Sequence, residues 1–169
     1  RIADFKKAVA DNLSGRAENV KDEIEFVLAR EADCSVLVDM LAAGELPLRV
    51  THNDTKLNNV LFDNETNEGI CVVDLDTVMP GLVGHDFGDA IRFAANREEE
   101  DSSNYANVGV DMDIFRAFTE GFLEMTAQTL TPNEIDTLAL SGFVLACELA
   151  GRFLDDYILG DPYFKINYP

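Results

Sequence analysis

Basic residues are scarce in this sequence. Thirteen Lys and Arg stand against 32 Asp and Glu, a formal net charge of −19 over 169 residues. Nucleic-acid binding wants a basic face, so this balance argues against a nucleic-acid partner. It fits a solvated acidic surface; the alternative is a site that draws in a metal or a cationic substrate. There are only two histidines, His52 and His85, and no Cys/His spacing points to zinc. The three cysteines, Cys34, Cys71 and Cys147, are far apart in the chain, each in an apolar context. An odd, dispersed set predicts reduced core thiols in a cytoplasmic protein, not a disulfide framework. No apolar run is expected to reach membrane-spanning length, and no signal-like apolar stretch follows Arg1-Ile2-Ala3-Asp4. No membrane partner is therefore expected. Repeats, low-complexity tracts and linkers are also lacking, so residues 1–169 read as a single domain. Nothing in the composition speaks to oligomeric state.

What is present begins with helices. Ile2, Phe5, Val9 and Leu13 recur at helical spacing until Ser14-Gly15 breaks the pattern. Asp22 to Arg30 carries Ile24, Val27 and Leu28 on one face. Asp33 is a candidate cap for a third helix, with Val36, Leu37, Met40 and Leu41 as its stripe and Gly44 as its stop. Pro47 blocks continuation, and Leu48-Arg49-Val50 reads as extended. Asn59–Asp63 and Ile70–Val73 read as strands joined by a turn over Asn64–Gly69. Antiparallel pairing then brings Asn59, at the start of one strand, to Asp74, at the end of the other. Thr77 to His85 reads as irregular, and Asp86-Phe87-Gly88-Asp89 leads into a helical run through Ile91, Phe93 and Ala94. Asn96 to Asn107 is a polar, acidic loop holding Glu98-Glu99-Glu100-Asp101. Two helices follow. One runs from Asp111 to Gln128, with Ile114, Phe115, Phe118, Phe122 and Met125 on its face. The other runs from a Thr131 cap, through Pro132 and Glu134 of a capping box, to Leu159 and Gly160.

One polar loop sits between apolar flanks. His52, Asp54 and Asn59 stand in the spacing H-x-D-x-x-x-x-N, which is the catalytic-loop spacing of protein-kinase-like phosphoryl transfer. That chemistry needs a carboxylate to orient the attacking hydroxyl, and Mg²⁺ on oxygen ligands to bridge the phosphates of ATP. Asp54 is the candidate base. Asn59 and Asp74 are candidate metal ligands, and Lys56 a candidate to neutralise the moving phosphoryl group. If the strand continues past Asp74, Asp76 points to the same face and either completes the metal shell or contacts substrate. His52 reads as a prop for the loop more than a proton carrier. The plainer reading makes Asp54 and Asn59 turn formers, and Asp74 and Asp76 a calcium site or a solvated edge.

These motifs resemble the C-terminal lobe of the aminoglycoside phosphotransferase and choline kinase superfamily. Thr51–Asp63 is similar to its catalytic loop, Val72-Val73-Asp74-Leu75-Asp76 to its metal-binding strand end, and His85–Asp89 to the segment that buttresses the loop. Asp74–Gly81, Gly151–Tyr157 and Gly160–Phe164 further resemble the N-acetylhexosamine 1-kinase subgroup. The resemblance implies an α+β, mainly helical lobe with a small β-hairpin carrying the active site. It also implies ATP and Mg²⁺, with GlcNAc or GalNAc phosphorylated at the anomeric hydroxyl and Arg152 and Tyr163 binding the sugar. Without the resemblance, Arg152 reads equally as a helix cation paired with Asp155 or Asp156, and Tyr163 as ordinary core or rim packing. The family's nucleotide-binding N-terminal lobe, with its phosphate-covering loop, Lys and paired Glu, has no counterpart before residue 46. The chain therefore reads as a fragment, inactive by itself. Two other functions remain open: a kinase for choline, an aminoglycoside or another small alcohol, and a non-catalytic kinase-like binding domain.

Overall fold

The apolar spacing of the first third folds into three helices, α1 (Ile2–Asp11), α2 (Lys21–Leu28) and α3 (Glu31–Ala42). The computed structural model describes residues 2–100 and 102–164, so Asp101 of the acidic loop lies outside the described residues. Because α3 begins at Glu31, Asp33 stands inside its first turn and is not its cap. An acidic side chain there still interacts favourably with the positive end of the helix dipole.

The chain divides into two compact units, one up to Val36 and again from Ala146, the other Leu37–Leu145. In the first, Phe5, Ala8, Ala17, Ile24, Val27 and Ile158 form the core. Gly15 takes a positive φ of 74° at the break after α1. The turn is then tied down: Ser14 Oγ donates to the Ile158 carbonyl at 2.6 Å, and Asn12 Oδ1 accepts from Ala17 N at 3.0 Å.

The second unit carries two antiparallel ribbons. β1 (Arg49–Thr51) pairs with β4 (Met79–Gly81), and β2 (Val60–Phe62) pairs with β3 (Gly69–Val72). The expected hairpin is β2–β3, but the segment expected to be irregular contains β4 and the start of α4 (Val83–Ala94). Pro80 is tolerated because β4 has one partner only, so its missing N–H costs no ladder bond on the other side. Gly81 is required: a Cβ there would run into Thr51 Oγ1 and come within 2.9 Å of Asn53 Oδ1.

Helix α4 is seated on α6 (Pro132–Leu159) by two glycines one turn apart. A Cβ on Gly84 would strike Ser141 Oγ, and one on Gly88 would strike the Ser141 backbone. On another part of α4, Phe87 packs against Phe115, Phe118 and Phe122 of α5 (Met112–Thr126), with centroids 6.3, 5.5 and 5.2 Å away. Asp111 caps α5, accepting from Asp113 N and Ile114 N. Thr131 and Glu134 form the capping box of α6: Thr131 N donates to Glu134 Oε2 at 2.7 Å and Glu134 N to Thr131 Oγ1 at 3.3 Å.

Two expectations fail. Helix α6 is long and apolar enough, by length and composition alone, to cross a membrane, with a mean hydropathy of 1.5 in its richest window. Its apolar residues are shared among separate clusters: Leu138 with Phe87 and Ile91, Val144 with Leu37 and Leu46, and Ile158 with Phe5. A core helix passes the same test as a spanning one. The cysteines also differ from expectation. Cys71 is exposed, because β3 has few neighbours besides β2. Cys34 and Cys147 lie side by side, and burial together with the Cys147 sulfur pushes the Cys34 thiol up to about 11.

The described chain is thus mainly helical with small antiparallel sheets, compatible with the expected α+β class.

Candidate active site

The polar loop after β1 is held from below by α4. Asp86, in the first turn of α4, accepts His52 N–H at 2.8 Å with one carboxylate oxygen and Asn53 N–H at 2.7 Å with the other. Asp89, one helical turn on, accepts Thr55 N–H at 3.0 Å, and Thr55 Oγ1 donates to the Asp86 carbonyl at 2.6 Å. Three consecutive-turn amides of the loop are therefore bonded to carboxylates, which bind N–H groups more strongly than neutral oxygens do. Asn53 adopts a left-handed φ of 64° and donates Nδ2–H to the Thr77 carbonyl at 3.1 Å.

His52 is used as a strut. Its Nε2 is 3.0 Å from the Val73 carbonyl, and its Nδ1 accepts from Asp54 N at 3.3 Å. With a proton on Nε2 the ring donates to the carbonyl on one side and accepts the N–H on the other. Both nitrogens are occupied by backbone, which leaves none for substrate. These two contacts are those expected of a residue that props the loop.

Asp54 is set between a cation and an amide. Lys56 Nζ lies 3.2 Å from Asp54 Oδ1, and Asn59 Nδ2 donates to Asp54 Oδ2 at 3.0 Å and to the Asp54 carbonyl at 2.8 Å. Asn59 is nearly buried, on a short 3-10 turn over Leu57–Asn59 that runs into β2. The hairpin brings the far strand end back to it: Val73 N–H donates to the Asn59 carbonyl at 2.9 Å.

Asp74 follows, with φ 61° and ψ 56° in the left-handed region. The strand does not continue. Leu75–Thr77 forms a 3-10 turn, so Asp76 reaches Asp74 across that turn and not by strand alternation. The Asp76 carboxyl hydrogen-bonds to and repels that of Asp74. With some burial and the nearby Asp54 adding to the effect and Lys56 opposing it, Asp74 is held above its usual range. Carboxylates crowded together in this way are eased by a hard cation.

The donor set suits Mg²⁺. Asn59 and Asp74 would hold it, with Asp76 nearby, and the remaining positions would fall to water and phosphate oxygens, as is usual for this ion. Among the described residues, no three acidic, histidine or cysteine side chains converge as a metal cage of their own.

Arg152 and Tyr163 belong to the first unit. Arg152 is half-buried on α6. Its guanidinium carbon lies 5.9 Å from the Tyr163 ring centroid and 5.5 Å from that of Phe164. Its carboxylate neighbour is Glu148 at 4.0 Å, not Asp155 or Asp156 as the alternative reading had it. Asp156 faces elsewhere and is nearly buried: its two oxygens accept Tyr163 N–H at 2.8 Å and Phe164 N–H at 2.9 Å. Tyr163 itself is exposed, so it is no core residue; its ring meets that of Phe164 edge-on at the rim, with centroids 4.9 Å apart. One buried carboxylate thus folds the end of α6 back and stations an exposed phenol beside a guanidinium.

Sequence reasoning placed Asn53 and Thr55 in the loop and Asp89 in the segment that buttresses it, but gave none of the three a role of its own. The spacing of Asp86 and Asp89, three apart on one helix, is the signal that both face the loop. Nothing in the sequence marks Asn53 as left-handed beyond its being Asn, a residue type that tolerates that region.

A family model described as the phosphotransferase enzyme family matches residues 2–119. That span is well over half of the chain and takes in the loop, the hairpin and α4 with its two carboxylates. The match and the geometry agree, and the chain belongs to the phosphotransferase enzyme family.

Proposed function

We propose that this chain is the catalytic, C-terminal-lobe part of a small-molecule kinase that moves the γ-phosphoryl group of ATP to the anomeric hydroxyl of an N-acetylhexosamine. Kinases of the family use ATP, generally with Mg²⁺. The observation that carries the transfer chemistry is the setting of Asp54, with Lys56 on one oxygen and Asn59 on the other. Asp54 orients the sugar hydroxyl and accepts its proton. The hydroxyl oxygen forms the new P–O bond as the bond from the γ-phosphorus to the bridging oxygen of ADP breaks. Lys56 offsets charge on the moving group. Bound Mg²⁺ would neutralise the phosphates from Asn59 and Asp74. The sugar reading is supported by Arg152 beside Tyr163, a multiple donor next to a ring and a hydroxyl. We further place the protein in the cytoplasm, acting on small molecules and not on nucleic acid or membrane.

A panel of GlcNAc, GalNAc, choline and kanamycin, offered with Mg·ATP to the intact protein, tests this. Transfer to the two sugars is expected. Transfer to choline or kanamycin alone would favour a cationic acceptor, which the net charge of −19 suits. Asp54→Asn should lower kcat by about 10²–10⁴-fold and keep sugar affinity, because it removes the base and leaves the shape. A near-normal rate in that variant would refute the role given to Asp54.

A further inference from the structure

Asp89 uses its two oxygens differently. One takes the Thr55 amide at 3.0 Å; the other takes Arg92 Nη2 at 2.9 Å. Arg92 then reaches on through Nη1 to Glu100 Oε1 at 2.6 Å. Thr55 directly follows Asp54, so an unbroken series of charge-assisted bonds runs from the acidic loop after α4 to the peptide beside the candidate base. The Arg92 side chain is only 15% exposed, and its fork spans both carboxylates, as a lysine ammonium cannot do in the same geometry. Burial works against its charge, and the two carboxylates more than restore it. The loop at the far end is also built and not loose: Glu98 accepts from Ser102 Oγ at 2.7 Å and from the side-chain amides of Asn104 and Asn107.

We propose that Arg92 is a positioning residue for phosphoryl transfer. Through Asp89 it fixes the Thr55 peptide and with it the direction in which Asp54 presents its carboxylate. Glu100 makes that setting depend on the 96–107 loop. Without the guanidinium, Asp89 has one fixed partner instead of two and an unbalanced charge close to Asp54. This inference rests on reading Asp54 as the residue that orients the acceptor hydroxyl.

The test uses the intact protein with Mg·ATP and GlcNAc. Arg92→Leu is expected to lower kcat about 10–100-fold, the penalty for a misplaced reacting group, with both KM values within about twofold. Arg92→Lys should fall between the two. Glu100→Gln, at an exposed site, should leave the melting temperature unchanged and lower kcat about threefold or more. In an Asp54→Asn background, Arg92→Leu should have no further effect, because its influence passes through Asp54. An equal loss in that background, or a kcat within twofold of wild type for folded Arg92→Leu, overturns the proposal. Amide exchange gives a second readout, independent of turnover. In Arg92→Leu, exchange at Thr55 N–H should quicken about tenfold while that at Asn53 N–H, held by Asp86, does not. If no acceptor is phosphorylated, the kinase reading of this site fails, and exchange alone decides the positioning claim. Unchanged exchange at Thr55 overturns it.

Discussion

Replacing Glu134 by Ala should destabilise the second unit more than any surface substitution, although Glu134 is nowhere near the candidate chemistry in sequence. Its side chain is 2% exposed and accepts three bonds: Arg49 Nε at 2.8 Å, Arg49 Nη2 at 2.7 Å and Thr131 N at 2.7 Å. Arg49 opens β1, the strand that delivers the chain into the polar loop. Breaking a fully buried ion pair costs about 3–5 kcal/mol. Arg49 is 32% exposed and can rehydrate, so the pair's share falls to about 1–2 kcal/mol. Loss of the capping box adds about 1 kcal/mol. The sum, about 2–3 kcal/mol, corresponds to a drop of roughly 5–10 °C in melting temperature for a chain of this size. Thermal and urea unfolding would measure it. Arg49 holds the Glu134 carboxyl below its usual range. Its contribution is therefore fully present above the ordinary glutamate pKa and is lost as pH falls through the lower folded value. Wild type and Glu134→Gln should converge in stability only as pH falls through that lowered folded value. In a double-mutant cycle with Arg49→Met, a coupling of about 1–2 kcal/mol is expected. A melting temperature within 1 °C of wild type for Glu134→Ala, or strict additivity in the cycle, would refute the reasoning.

Asp86→Asn leaves one acceptor oxygen for two amides, so kcat should fall about 10–100-fold, equivalent to one charge-assisted bond; steady-state kinetics on the intact protein would show it. Gly88→Ala places a methyl into the Ser141 backbone and should cost about 1–3 kcal/mol by chemical denaturation. With iodoacetamide at pH 8, Cys71 should label first, because it is exposed, and Cys34 should stay unmodified, because its thiol titrates near 11. Peptide mass spectrometry reads out the order.

Much of the local structure was legible. The Thr131-Pro132-Asn133-Glu134 run announced a capping box, and strand spacing alone foretold that Asn59 and the chain near Asp74 would meet. The bonds between distant elements were not. Nothing near Arg49 in the sequence names Glu134, 85 positions away, as its partner. Alternation carried Asp76 onto a strand face only by assuming that β3 continued, and the left-handed turn at Asp74 ended it. The apolar length of α6 was likewise underestimated, because a search for unbroken apolar runs overlooks a long helix whose apolar residues are interspersed with polar ones. The acidic loop read only as polar, yet Glu98 and Glu100 are fastened to partners that only the folded chain brings together.

The backbone of Asp74 has an evolutionary consequence. A side chain at φ 61° sits where L-residues carry strain of about 1 kcal/mol and where glycine carries none. Glycine would therefore be favoured at this position by any selection for thermal resistance alone, and aspartate only by selection that rewards its carboxylate. A mutant library split between those two pressures should diverge at this residue, drifting to glycine in one arm and holding aspartate in the other. Asn53, at φ 64°, poses the same choice and gives the same experiment a second, internal reading.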